Sequence, residues 1–202
     1  MLAGISHDLR TPLTRLKLGL SMIEHEDIPD LLRDVDAMSR MVDGFLDFAR
    51  SEAEDRVEPT ALGPLVAEVV ETFRRQGHDV EHPAPDDPEG PLLDLRPLAI
   101  RRALENLLAN ACTYGRHVRV TLSFGEKAVR ITVEDDGPGI PPERREEAIR
   151  PFVRLDDARN QDRAGVGLGL AIVADIARVH GGALRLGESG MGGLRADIVL
   201  AR

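Results

Sequence analysis

Residues 4 to 18 read GISHDLRTPLTRLKL, and their types could handle a phosphoryl group. The imidazole of His7 can accept phosphoryl on a ring nitrogen. Asp8 beside it can hold the other ring N–H, which fixes the tautomer and makes the free nitrogen a better nucleophile. Thr11 follows His7 by four residues, so on a helix the two share a face. Its hydroxyl could position a water for the reverse task, dephosphorylating a partner. Arg10 is placed to stabilise phosphate or to pair with Asp8.

Three later stretches carry groups of a matching kind. In LENLLANA (104 to 111), Asn106 and Asn110 stand four apart on one helical face, next to Glu105. Amide oxygens suit Mg2+, a hard cation that completes its shell with phosphates and water. In EDDGPGI (134 to 140), a strand ends in Asp135 ahead of Gly137 and Gly139, where glycine permits unusual backbone angles and close approach of a ligand. In GVGLGL (165 to 170), Gly165, Gly167 and Gly169 lead into an apolar helical pattern. Backbone N–H groups at such a helix start attract anions. No Gly-Lys-Ser/Thr follows and no strand leads directly in, so this is neither a P-loop nor a dinucleotide fingerprint.

Two frameworks must hold these groups. Leu2, Ile5, Leu9, Leu16 and Ile23 fall three, four and seven apart, a heptad seam on a helix from about 2 to 24. With Leu2 at position a, His7 takes position f and faces away from the seam. Pro12 removes a backbone donor and is expected to let the helix bend there. EHEDIPD (24 to 30) turns the chain, and Leu31, Val35, Met38, Val42, Phe45 and Ala49 form a second seam. Two such helices bury both seams poorly alone. A symmetric dimer of hairpins supplies a four-helix bundle.

SEAEDRVEPTALG (51 to 63) is charged and carries a proline, which divides the chain into 1–56, a linker at 57–61, and 62–202. Residues 65–75 and 97–115 read as helices, the second with Pro97 near its start and Gly115 near its end. HPAPDDPEGP (82 to 91) reads as a loop and LLDL (92 to 95) as a strand. Residues 117–125 and 128–137 alternate as paired strands, 165–182 is a glycine-rich helix start with its helix, and ALRLGE with LRADIVL closes the chain as a hairpin. This order predicts a mixed sheet with helices on one face. Residues 141–164, rich in Arg, Asp and Glu, read as a lid. Phe152 would anchor it in an apolar pocket, and Arg154 and Arg159 are candidates for phosphate contact.

Composition bounds the partners. The 202 residues carry a net charge of −9, which argues against nucleic acid, since phosphate backbones need a basic face. The apolar fraction of 42% is enough for a core, while aromatics are only 3%. One cysteine, Cys112, cannot form an internal disulfide, which fits a reducing compartment. No apolar run approaches the roughly 20 residues of a membrane span, and no signal peptide is visible. Met1 falls part-way into a helical pattern, so the expectation is a fragment with its natural start upstream.

The order of these stretches resembles the cytoplasmic core of a bacterial two-component sensor histidine kinase. SHDLRTPL (6 to 13) is similar to its H box, LENLLANA to its N box, DDGPGI (135 to 140) and GVGLGL to its two glycine boxes, and PFVR (151 to 154) to its F box. The wording of AGISHDLRTPLTRLKL is similar to the osmosensing EnvZ type. The resemblance implies an all-α helical hairpin, a four-helix bundle on dimerisation, followed by an α/β sandwich of the GHKL ATP-binding type. It implies ATP as substrate, with Mg2+ on Asn110 and Asn106. His7 would be the phosphoacceptor, assisted catalytically by Asp8, Thr11 and Glu105.

ATP would be bound by Asn106, Asn110, Tyr114, Asp135, Gly137, Gly139, Phe152, Arg154, Arg159, Gly165, Gly167, Leu168 and Gly169. Tyr114 could stack on the adenine and Asp135 could accept a hydrogen bond from its amine. The implied partners are a second copy of the chain and the receiver domain of a response regulator, with this portion cytoplasmic and the full-length protein anchored in the inner membrane. Thr113 and Val166 depart from the family's usual Lys or Arg and Thr, which bears on nucleotide affinity. A clamp-type GHKL ATPase would share the Asn110, Asp135 and Gly167 boxes. A scaffold with a degenerate ATP site would share the hairpin. His7 with its heptads separates the kinase from the first, and the intact boxes separate it from the second.

Overall fold

The computed structural model describes residues 2–36, 38–39, 42, 56–83, 90–155 and 167–202; the side chains of residues 2–10, His7 and Asp8 among them, lie outside that description. The chain divides into two compact units, Met1–Glu54 and Asp55–Arg202.

In the first unit, helix α1 spans Leu2–Ser21 and runs unbroken through Pro12. Pro12 still withholds the amide that would have reached the Asp8 carbonyl one turn back. The helix stops three residues short of the expected Glu24. Residues 28–36 are helical again (α2), and the Lys17 ammonium donates to Asp36 Oδ1 at 2.7 Å, tying the helices together. Val35 is buried, whereas Leu16, Leu18, Met22, Ile23, Leu31 and Met38 remain exposed. Phe45 and Ala49, the end of the second seam, lie outside the described residues.

The second unit contains β1 (Glu58–Ala61), α3 (Leu62–Arg75), β2 (Asp79–Glu81), β3 (Leu92–Leu95), α4 (Pro97–Tyr114), β4 (His117–Phe124) and β5 (Ala128–Asp135). A 3-10 turn at Pro142–Arg144 and α5 (Arg145–Ala148) follow, then α6 (Gly169–Val179), β6 (Ala183–Glu188) and β7 (Leu194–Ala201). The main sheet has the order β2-β4-β5-β7-β6, with β2 parallel to β4 and the remaining pairs antiparallel. Period-two alternation turns Val118, Val120 and Leu122 of β4, Val129, Ile131 and Val133 of β5, and Ala196, Ile198 and Leu200 of β7 to one buried face. Against it pack the apolar stripes of α3 (Val66, Val69, Val70), α4 (Ile100, Leu104, Leu107, Leu108) and α6 (Val173, Ile176). The expected mixed sheet with helices on one face is what forms.

Three expectations need correction. Residues 58–61, read as linker, are β1, paired antiparallel with β3 from Glu58↔Leu95 to Ala61↔Leu92. Pro59 is tolerated because a two-stranded sheet is all edge. β2, inside a stretch with no strand expected, is only three residues long and gives too little alternation to read. The expected lid is folded over its first half: Arg144 Nη1 donates to the Leu155 carbonyl at 3.2 Å and Arg145 Nε to the Ile140 carbonyl at 3.1 Å, closing residues 140–155 on themselves. Its remainder, with Arg159, lies outside the described residues.

Candidate functional site

The site grows out of the ends of β5, α4 and α6. Along β5 the alternation that buries Val129, Ile131 and Val133 brings Asp135 to the same face, where it is 3% exposed. Its Oδ1 accepts the Gly137 N–H at 2.9 Å and the Leu194 N–H at 3.2 Å. Burial raises the Asp135 pKa, the two N–H donors pull it back, and the neighbouring Asp136 adds to the rise.

Glycines surround this carboxylate because nothing larger fits. A Cβ on Gly193 would lie 2.3 Å from Asp135 Oδ1 and 2.5 Å from the Gly137 nitrogen. One on Gly137 would lie 2.8 Å from the Tyr114 carbonyl, which brings the end of α4 against the turn after β5. Gly139 has φ +68° and faces the Gly193 carbonyl. Asp136, one residue on, points elsewhere. Its Oδ1 accepts the Arg116 N–H at 2.6 Å and the His117 N–H at 3.0 Å, closing the turn from α4 into β4. These bonds, His117 first and then Arg116, hold its pKa below the usual carboxylate range. Cys112, half-buried on α4, is pushed up to about 11 by burial and by the Asp135 charge.

On α4 the apolar stripe leaves Asn106 and Asn110 half-buried together on one flank, while Glu105 is exposed. Asn106 Nδ2 donates to the Arg102 carbonyl at 2.8 Å. That bond assigns the amide orientation and leaves Oδ1 as the presented atom. Asn106 Oδ1 comes within 3.3 Å of a Cβ built on Gly169, the first residue of α6, so the amide face of α4 looks onto the start of α6. Leu168 precedes that helix without a side-chain cap, and the amides of its first turn have no helical acceptor.

Gly167 has φ +77° and accepts the Phe152 N–H at 2.9 Å, and its absent Cβ makes room for the Val153 carbonyl. Phe152 itself has φ +65° and is 56% exposed, so it does not occupy an apolar pocket. Here the ring's burial was the wrong expectation; the backbone of Phe152, braced on Gly167, holds the end of the folded half-lid. Arg154 is exposed, and Gly165 lies outside the described residues. The Thr113 hydroxyl is taken by the Ala109 carbonyl at 2.7 Å.

The structure thus brings Asn106, Asn110, Tyr114, Asp135, Gly137, Gly139, Gly167, Leu168 and Gly169 to adjoining ends of α4, β5 and α6. Thr11 is exposed on α1 in the other unit. Sequence reasoning noted Leu194 after the last Gly pair as a departure from the family but did not bring Gly193 and the Leu194 amide to Asp135, which they touch at the start of β7. The signal was the Gly192–Gly193 pair just before the last strand. A shape that only glycines leave open, a carboxylate acceptor at one end, amide oxygens along one wall and a helix start without a side-chain cap at the other end fit a nucleotide: base, cation-bound phosphate and anion.

Residues 96–201 match the family described as histidine kinase-, DNA gyrase B-, and HSP90-like ATPases, and residues 1–54 match the His Kinase A (phospho-acceptor) domain. The sensor histidine kinase GtrS of Pseudomonas aeruginosa is 38% identical over 205 residues, an alignment that takes in 100% of this chain and 41% of GtrS. The sensor histidine kinase CpxA of Escherichia coli is 35% identical over 211 residues, with 99% of this chain and 46% of CpxA covered. The chain therefore spans less than half the length of these relatives. Among solved structures, the histidine kinase domain of the E. coli osmosensor EnvZ superposes with a TM-score of 0.56 at 37% identity, covering 73% of this chain and 90% of that domain.

Proposed function

Because this chain belongs to the histidine kinases, with a phospho-acceptor region ahead of an ATPase domain, we propose that it autophosphorylates on His7 and passes the phosphoryl group to an aspartate of a response regulator. The observation that carries the reading is the buried Asp135 carboxylate. Oδ1 takes two backbone donors where only glycines fit, beside the end of α4, and the second oxygen of the carboxylate would be the one to meet a base. That acceptor suits the exocyclic amine of adenine, and the raised pKa reflects a carboxylate kept from water.

Asn106 and Asn110 would hold Mg2+ through their amide oxygens; the Arg102 bond to Asn106 Nδ2 supports this by leaving Oδ1 to the ion. Bound there, the cation would offset the charge of the phosphates as the bond to the leaving group lengthens. The amides of the first turn of α6, which no side chain caps, would hold phosphate oxygens. Glu105, exposed on α4, would stand near the incoming imidazole. In the transfer, a P–N bond forms at His7 as the P–O bond between the β- and γ-phosphates breaks, and ADP leaves with that oxygen. Asp8 would keep the ring N–H oriented and stabilise the imidazolium that forms. Catalysis on this reading is positioning and charge stabilisation.

The exposed Leu16, Leu18, Met22 and Ile23 support a dimer of hairpins, whose bundle would receive the regulator. Thr11 would serve the phosphatase reaction there. No described helix is long and apolar enough to cross a membrane; we place the full-length protein in the inner membrane with this portion on the cytoplasmic side.

The test is incubation with γ-labelled Mg-ATP. The expected label is stable to base, labile to acid and absent from His7→Ala, which still binds nucleotide. Base-labile label, or label persisting in that variant, overturns the reading.

A further inference from the structure

We propose that His180 is a positioning residue for the nucleotide site, acting through the spacing of α4 and α6. It is the residue that ends α6, and it is half-buried. Its Nε2 accepts the N–H of Arg96 at 3.1 Å, and its Nδ1 lies 2.7 Å from the Ile176 carbonyl. An amide N–H can only donate and a carbonyl can only accept. The ring must therefore be neutral, with its proton on Nδ1.

The Arg96 N–H is a group that a helix start leaves unsatisfied: Arg96 precedes α4, has no side-chain cap, and Pro97 follows it. The Ile176 carbonyl belongs to the last turn of α6 and also accepts the His180 backbone N–H at 3.2 Å. One imidazole thus serves the start of one helix and the end of its neighbour.

The consequence lies at the other end of the pair. α4 and α6 also meet where Asn106 faces Gly169, about 15 Å along the helix from Arg96 at 1.5 Å per residue. The two helices also pack against each other along their length. The His180 bridge adds a directional tie at the end far from Gly169, which trims slide and angle and so tunes the gap between the amide oxygens of α4 and the first-turn amides of α6. His180 touches no group of the site, yet it helps set that gap.

The proposal rests on the ATP reading, and two substitutions dissect it. His180→Gln puts a carbonyl oxygen near the place of Nε2 and keeps the bond to Arg96. His180→Asn puts an amide N–H near the place of Nδ1 and keeps only the bond within α6. The expected outcome is near-wild-type Mg-ATP affinity for Gln and a loss of about three- to tenfold for Asn, as for one hydrogen bond. Exchange of the Arg96 amide should quicken in Asn but not in Gln. The wild-type His180 ring should show the 15N signature of the Nδ1–H tautomer without nucleotide. Equal affinities in the two variants, beside a wild type that binds, overturn the positioning role, as does the Nε2–H tautomer. A wild type that binds no nucleotide, with tautomer and exchange as expected, overturns the ATP reading instead.

Discussion

Asn106 Oδ1 on α4 stands 3.3 Å from the place where a Cβ on Gly169 of α6 would lie. The distance is tight for a carbon against an oxygen, so the side chain of Asn106 is set by the absence of one at Gly169. Gly169→Ala should keep the fold, since residue 169 is helical with an ordinary φ and alanine favours helices. It should push the Asn106 amide aside and weaken Mg-ATP binding about tenfold or more, as misplacement of a positioning group does. Calorimetric titration beside a melting curve checks both halves.

Asp135→Asn separates function from stability. An asparagine Oδ1 can still take the Gly137 and Leu194 amides, while its NH2 would meet the adenine amine donor to donor. Affinity should fall about 5- to 150-fold, the range for leaving a buried polar group unpaired. Because burial raises the Asp135 pKa, ionisation weakens the fold in full above the folded pKa, and that cost shrinks as pH falls below it and is gone at the unfolded value, about 3.9. At neutral pH the variant should therefore melt no lower than wild type, and any advantage should vanish in acid.

Gly193→Ala places a methyl 2.3 Å from Asp135 Oδ1 and 2.4 Å from the Asp135 carbonyl, with backbone on the far side. The cost should be about 1 to 3 kcal/mol, the usual range for overpacking. Gly190→Ala, two residues into the same loop, has nothing within 4 Å and should change stability by less than about 0.5 kcal/mol. Urea denaturation of the pair tests whether the crowding at Asp135 is real.

Asp136→Ala should lower the melting temperature at neutral pH by removing the acceptor of the Arg116 and His117 amides. A carboxyl whose pKa is lowered on folding contributes stability above its unfolded value, about 3.9, and loses it as pH falls through the lower folded value. The gap between wild type and variant should be full at neutral pH and close in strong acid. A gap that widened in acid would contradict the assignment.

Leu16→Asp should convert a dimer to a monomer in sedimentation. Leu16 is 46% exposed on the lone hairpin, and a second hairpin would cover it. A carboxylate in that seam would be buried without a partner. An unchanged particle mass would remove the four-helix bundle from the reading.

The sequence by itself determined the periodic part of this protein. Alternation along AVRITVED already put Asp135 on the face of Val129, Ile131 and Val133, and the four-residue spacing already put Asn106 and Asn110 on one flank of α4. Such placements follow from local geometry, where side-chain direction repeats every two or 3.6 residues. Tertiary structure decided what depends on distant chain. Residues 58–61 are a strand only because β3, more than thirty residues later, pairs with them. Phe152 is exposed because its backbone, not its ring, is the part held by Gly167. Asp135 and Asp136 stand side by side in DDGPGI with the same chemistry, yet one carboxylate meets Leu194 and the other meets His117. Neither amide is nearby in sequence, so no window of residues could have told the two apart; their opposite environments come from which strand end each reaches once the sheet has formed.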